Sequence, residues 1–175
     1  SLRHMEEQGI HWPWPRELEA AVLDFCKRGG AKAVLFDIFF SEDSVYGVDD
    51  DNVFAKSIKE SGHAYFVVFA SKEEGAPDES DKVIFEKSKI TFDGKLPTFV
   101  TPLKSLKSKP ISLIAEAATG FGNVQAIPDK DGIYRRISLL NFIDTKIIPS
   151  VSLKIASDVK NIQEILVKSS LLRRN

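Results

Sequence analysis

Two short, almost uninterrupted apolar runs limit what this chain can fold into. Residues 32–40 read Lys-Ala-Val-Leu-Phe-Asp-Ile-Phe-Phe, and residues 64–70 read Ala-Tyr-Phe-Val-Val-Phe-Ala. A strand wetted on one face alternates polar and apolar side chains, whereas one covered on both faces need not, and parallel sheets show the second pattern. Between the runs, residues 50–61 carry Val53, Phe54 and Ile58 at helical spacing and stop at Gly62. Strand, helix, strand predicts a right-handed parallel βαβ unit.

The flanking segments extend this into a mixed sheet. Residues 15–28 are expected to form a helix that opens at Pro15, ends at Gly29-Gly30 and turns Leu18, Ala21, Val22, Phe25 and Cys26 inward. Residues 71–98 are charged and rich in Gly, Pro and Ser, with apolar islets only at 83–85 and 90–92, so they read as an excursion with a short hairpin near Asp93-Gly94. A helix is expected over 110–119. Strands at 121–127 and 133–143 then flank the turn Pro128-Asp129-Lys130-Asp131-Gly132, and a second reversal at 144–146 leads to Ile147-Ile148. A last helix starts at Ser150, a good N-cap, and carries Val151, Ile155, Val159, Ile162 and Leu166. The expected fold is α/β: a mixed β-sheet with a parallel βαβ unit, a C-terminal antiparallel hairpin and flanking helices.

At 175 residues the chain suits one domain and can bury a core without disulfide or metal support. The opening Ser1-Leu2-Arg3-His4-Met5 reads as an expression scar, so the expected division is scar and leader over 1–8, one domain over 9–168 and a tail over 169–175. Lys plus Arg number 24 against 25 Asp plus Glu, a balance that argues against a nucleic-acid surface. The single Cys26 excludes an intramolecular disulfide, and no run of eighteen apolar residues exists to span a membrane. His4, His11 and His63 form no ligand cluster, and there is no Gly-rich phosphate loop, Gly-x-Ser-x-Gly elbow or paired-cysteine motif.

Four constellations carry potential chemistry. Asp37 closes a buried strand, where ligands of open α/β sheets bind; it could cap the following loop, contact a ligand or serve as a phosphotransfer nucleophile. The phosphatase pattern wants a second Asp two residues on, and Phe39 stands there. Glu42, Asp43 and the run Asp49-Asp50-Asp51-Asn52 could hold a hard cation, but acids at a helix start are favoured by its dipole, and one of them is expected to be the N-cap. The turn 129–132 lacks the outer ligands of a calcium loop. Lastly, Trp12-Pro13-Trp14-Pro15-Arg16 could staple the core edge or line a pocket with Arg16 as an anion clamp. If Arg135 and Arg136 alternate on a strand, one points inward and needs a carboxylate, for which Asp37 is the expected partner.

The order of these pieces is informative. Trp-Pro-Trp-Pro-Arg opens a helix, then come Gly-Ala-Lys-Ala-Val-Leu-Phe-Asp-Ile-Phe-Phe-Ser-Glu, an acidic helix start, Gly-Phe-Gly-Asn-Val, Pro-Asp-x-Asp-Gly-x-x-Arg-Arg and Pro-Ser-Val-Ser-Leu. Over residues 9–157 this resembles the second class of CHASE domains, extracellular sensory modules of bacterial adenylate and diguanylate cyclases, histidine kinases and Ser/Thr kinases. The resemblance implies a non-enzymatic input domain without cofactor, outside the cytoplasmic membrane, joined through membrane helices to a cytoplasmic output domain. It marks Trp14, Arg16, Asp37, Glu42, Asn123, Asp129, Asp131 and Arg135 as signature residues. Trp14, Arg16, Asp37, Glu42, Asn123 and Arg135 are the candidate ligand-binding residues; no metal site or catalytic residue is expected. The expected partners are a small-molecule or protein signal, a second copy in a homodimer and the membrane through flanking helices, but no nucleic acid. Family members carry an upstream strand before the Trp-Pro element, whereas only residues 6–10 precede it here, so an open sheet edge is expected. Residues 71–98 depart from the family pattern. The rival readings are a structural or dimerisation module without small ligand, and a small α/β phosphatase or hydrolase using Asp37.

Overall fold

A computed structural model describes residues 7, 9, 11–93, 103–126, 128–143, 146–162 and 164–166. The described elements run α1 (Arg16–Arg28), β1 (Val34–Phe36), α2 (Val48–Ser61), β2 (Ala64–Ser71), α3 (Glu79–Lys87), β3 (Phe92–Asp93), β4 (Ser105–Ser108), α4 (Ser112–Ala117), β5 (Gly120–Asn123), β6 (Leu140–Ile143), β7 (Lys146–Pro149), α5 (Val151–Val159) and β8 (Ile165–Leu166). The expected class holds: a mixed α/β fold with a parallel pair, an antiparallel hairpin and flanking helices.

The second apolar run, β2, is the axis of the sheet. It pairs in parallel with β1 on one side (Phe36 opposite Phe66) and with β5 on the other (Val68 opposite Asn123), while its last residues pair antiparallel with β4 (Ser71 opposite Ser105). Bonded on both edges, it carries one of the most buried segments described: Ala64, Phe66, Val67, Val68 and Ala70 are each 0% exposed. The first run leaves the sheet after three residues. Phe36, Phe40, Phe54 and Phe66 then form one aromatic cluster, with Phe36 stacked on Phe66 at 5.1 Å and Phe40 tilted against Phe54 at 5.3 Å. Among the described residues β1 pairs with β2 alone, so its outer edge is open.

Several local expectations are corrected. On α1 the buried residues are Arg16, Glu19, Ala20 and Leu23, not the stripe that carries Val22 and Phe25, both of which are exposed. The rotation of the helix is set by polar contacts to α2, which put Arg16 and the small Ala20 inward: Ser57 Oγ donates to the Ala20 carbonyl and to Asp24, and Lys27 donates to the Glu60 carbonyl. None of Asp49, Asp50, Asp51 or Asn52 caps α2, whose N-cap is Gly47 at φ +98°, a conformation that favours glycine. The strand pair around the turn at 128–132 does not form. The turn itself closes, with Gly132 N–H on the Asp129 carbonyl at 2.9 Å, but β5 is claimed by β2 and residues 133–139 are outside any strand. The hairpin is β6–β7, at the second reversal. The excursion contains α3, started by an Asp78–Asp81 capping box that the charged composition hid. The last helix starts at Ser150 as expected but ends at Val159. The Asp93-Gly94 hairpin falls partly outside the described residues.

The Gly-Phe-Gly-Asn segment is explained by packing. β5 runs against the start of α5, with Asn123 bridged to Ser150. A β-carbon on Gly122 would sit inside the backbone of Val151 and within 2.8 Å of the Ser150 carbonyl carbon. Backbone cannot yield as a side chain does. Gly122→Ala is therefore expected to lower the unfolding free energy by about 3 kcal/mol in urea denaturation, the upper range of overpacking costs. A loss under about 0.5 kcal/mol would contradict this contact.

Candidate functional site

The Trp-Pro-Trp-Pro-Arg segment and the end of the first apolar run meet at the amino ends of α1 and α2. Pro15, the N-cap of α1, has no side-chain acceptor for the free N–H groups of that helix. They are taken instead by a carboxylate from α2: Asp50 accepts from Arg16 N–H at 2.7 Å and Glu17 N–H at 3.0 Å, and from the Ser44 hydroxyl. Its neighbour Asp51 is buried and accepts from Arg16 Nε at 3.3 Å and Ser44 N–H at 2.8 Å. Arg16, 8% exposed, also donates from Nη2 to the Glu42 carbonyl at 3.1 Å and lies 4.4 Å over the Phe40 ring. The acidic run thus binds α1 and the 40–44 loop to α2. Among the described residues, no group of His, Cys, Asp and Glu could hold a metal.

Phe40 occupies the centre of this knot with φ +42°, which a bulky residue adopts only under strain. It is held by the aromatic cluster, by Arg16 above it and by Ile111, whose N–H donates to its carbonyl at 2.9 Å. Such strain costs on the order of 1–3 kcal/mol and is met where surrounding structure over-determines the backbone.

Two clefts open on either side of this loop and share Ser41 and Asp43. One, of about 350 Å³, lies between the Trp segment and residues 38–45, with Trp12, Trp14, Ile38 and Val45 as its apolar walls and Glu42 and Asp43 as its acidic groups. Trp12 and Trp14 meet edge to face at 5.4 Å. The other, of about 610 Å³, is bounded by Val48, Asp51, Lys107, Lys109 and Ile111. Lys109 reaches Asp78 at 2.8 Å and Asp81. Burial alone would raise the Asp78 carboxyl, but hydrogen bonds from Lys109 and Ser80 and the lysine charge hold it down at about 2. Desolvation of Lys109 is likewise outweighed by its two carboxylates, and its value is raised.

Of the six residues singled out from sequence, the structure brings Trp14, Arg16 and Glu42 to one cleft. Asp37 is exposed beyond β1 and lines none of the clefts described here. Asn123 is a ladder residue: its Oδ1 accepts from Ala70 N–H at 3.2 Å, where the register of β2 against β4 shifts, and its Nδ2 is buried without a protein partner among the described residues. Arg135 does not point inward and does not meet Asp37. It is exposed and pairs with Asp129 at 3.2 Å and Asp131 at 2.9 Å, with exposed Arg136 3.5 Å from Asp129. Without a strand over 133–139, nothing turns either arginine into the core. Phe40 and Lys109 were missed from sequence: a positive φ on phenylalanine leaves no sequence signal, and Lys109 sits in a plain Lys-Ser-Lys-Pro stretch.

Comparison with known proteins gives one match. A family model described as the CHASE2 domain matches residues 1–173. No curated protein and no solved structure matches the chain. No described helix is long and apolar enough to cross a membrane.

Two outcomes follow from the knot. Arg16→Met strands a buried carboxylate and is expected to cost about 3–5 kcal/mol, whereas Arg16→Met with Asp51→Met regains much of that loss. Denaturation of the single and double variants reads the difference, and a strictly additive double would contradict the coupling. Glu19, buried beside Arg16, has its carboxyl raised above the ordinary 4.5, burial being the main cause and the Arg16 charge opposing it. A raised folded value gives stability that is full at low pH and lost as pH rises through that value. Glu19→Gln should therefore melt above the parent protein at neutral pH, with the gap closing below about pH 4.5; a gap that widens in acid would reverse the assignment.

Proposed function

Since the chain belongs to the CHASE2 domain family, whose members are sensory rather than catalytic domains of signalling receptors, we propose that it is the extracytoplasmic input domain of a bacterial transmembrane receptor and binds its signal at the Trp12–Trp14 cleft. The output partner would be a cyclase, a histidine kinase or a Ser/Thr kinase. The observation that carries this reading is the convergence of the Trp14-Pro15-Arg16 segment and Glu42, 26 positions beyond Arg16, on one cleft beside a strained loop.

The chemistry of the cleft supports a ligand class. Arg16, the anion clamp of the sequence reading, is engaged with Asp51, the Glu42 carbonyl and the Phe40 ring. The groups that face solvent are indole rings and the Glu42 and Asp43 carboxylates, which have no ion-pair partner among the described residues. Aromatic faces beside carboxylates attract organic cations. The favoured ligand is a small amine or quaternary ammonium compound with an apolar body.

Signal transfer follows from the knot. The 40–44 loop is tied to α1 through Arg16 and to α2 through Ser44, so a ligand that draws on Glu42 or Trp14 acts on both helices at their amino ends. A ligand shifts such an arrangement only by its difference in affinity for the two states.

A thermal-shift screen of this chain against amines, organic acids, sugars, nucleotides and metals tests the reading. A ligand at a hundredfold its dissociation constant stabilises by about 2.7 kcal/mol, or roughly 5–10 °C at this size. The shift is expected from a cationic compound and should vanish in Trp14→Ala and fall at least about tenfold in affinity in Glu42→Gln, with both variants folded. A flat screen on folded protein, or a shift indifferent to Trp14, would overturn the assignment of this cleft.

A further inference from the structure

One side of α1 is apolar and open to solvent at Ala21, Val22 and Phe25, with Leu18 half-buried beside them. Leu18, Ala21, Val22 and Phe25 recur at helical spacing opposite the buried Arg16, Ala20 and Leu23. Phe25 is 70% and Val22 53% exposed. The polar contacts of Arg16 and Ser57 hold the helix in this rotation, so the apolar stripe stays outside whether or not it is wetted. A contiguous exposed stripe of this kind marks an interaction surface.

The charges beside the stripe say what fits it. Glu17 lies at its amino end and Arg28 at its carboxyl end, on the same flank of the helix and about three turns apart. Neither has an ion-pair partner among the described residues. When two helices pack antiparallel about a twofold axis, the same flank of each faces the other. Glu17 then meets Arg28 of the second copy, and Arg28 meets its Glu17. A parallel twofold pairing would put this flank of the two copies on opposite sides of the seam, so neither ion pair would form. Residues 22 and 23 lie midway between the two charges, so the axis passes there, with Leu18, Ala21, Val22 and Phe25 along the seam.

We propose that α1 is a homodimer interface, packed antiparallel against α1 of a second copy through Leu18, Val22 and Phe25 and registered by two Glu17–Arg28 ion pairs. A face of one helix about 20 Å long buries less than a standard interface of ~800 Å² per partner. The association is therefore weak in free solution, and strengthens when two copies share a tether that raises their effective concentration towards ~1 mM. The pairing goes beyond the ligand reading and does not depend on which cleft takes a signal.

Sedimentation equilibrium of the chain up to about 1 mM tests it. A reversible monomer–dimer equilibrium is expected. Phe25→Glu, Glu17→Arg and Arg28→Glu should each weaken it at least about tenfold, while Glu17→Arg with Arg28→Glu restores it by exchanging the charges. All are surface changes, and thermal melts confirm that each variant is folded; Arg28→Glu and the charge-exchanged double carry the test should Phe25→Glu unfold. A monomer throughout the range, a dimer indifferent to Phe25 or a double variant no better than the singles would overturn the pairing.

Discussion

Arg16 brings a guanidinium group into a site where it is only 8% exposed. A charge taken out of water needs opposite charge and hydrogen-bond acceptors in good geometry, or the fold cannot tolerate it. Asp51 supplies the carboxylate, the Glu42 carbonyl a second acceptor and the Phe40 ring a polarisable face. These partners come from two separate stretches of chain, so satisfying one guanidinium places α1, the 40–44 loop and α2 relative to one another. Asp50 completes the arrangement by capping a helix that its own N-cap proline cannot serve.

The remainder of the site inherits its geometry from that placement. The loop between Arg16 and Asp51 runs through Phe40 in a left-handed conformation, and the two clefts lie on its two sides. A well-packed aromatic cluster anchors one side of Phe40, whereas Trp12, Val45 and Tyr46 on the outside are exposed. A rigid base under a strained, wet loop suits a device that answers to a bound molecule, because local opening draws on regions with few buried contacts. The same polar contacts also leave the apolar side of α1 facing out, so the surface available to a second molecule and the cleft available to a ligand have one physical origin.

Much of the framework was legible in residue order. The continuous runs at 32–40 and 64–70 announced strands in a parallel pair, and Gly29-Gly30, Gly62 and Ser150 marked helix ends close to where they occur. The ordered Trp-Pro, Gly-Phe-Gly-Asn and Pro-Asp-x-Asp-Gly signatures pointed to the CHASE2 family, and the family match covers residues 1–173. Within the site, three of the six candidate residues, Trp14, Arg16 and Glu42, line one cleft, and Arg16 is engaged with Asp51, a pairing that nothing local in the sequence distinguishes from a free cation. Helix α3 was hidden by its charged composition, although the Asp78–Asp81 capping box was there to be read.

What the sequence determined by itself was local: periodicity, turn chemistry and helix boundaries, which depend on side chains a few residues apart. The tertiary structure decided which face of each element is inside. Periodicity placed Val22 and Phe25 in the core, yet a buried ion pair thirty-five positions away turned α1 so that they face out. It decided that β5 joins β2 rather than pairing with the segment after the turn, because the middle strand of a sheet needs partners on both edges. It also left Arg135 on the surface, bound to the aspartates of its own turn rather than to Asp37. Strand pairing and charge pairing are contacts between distant residues, so only the folded chain could settle them.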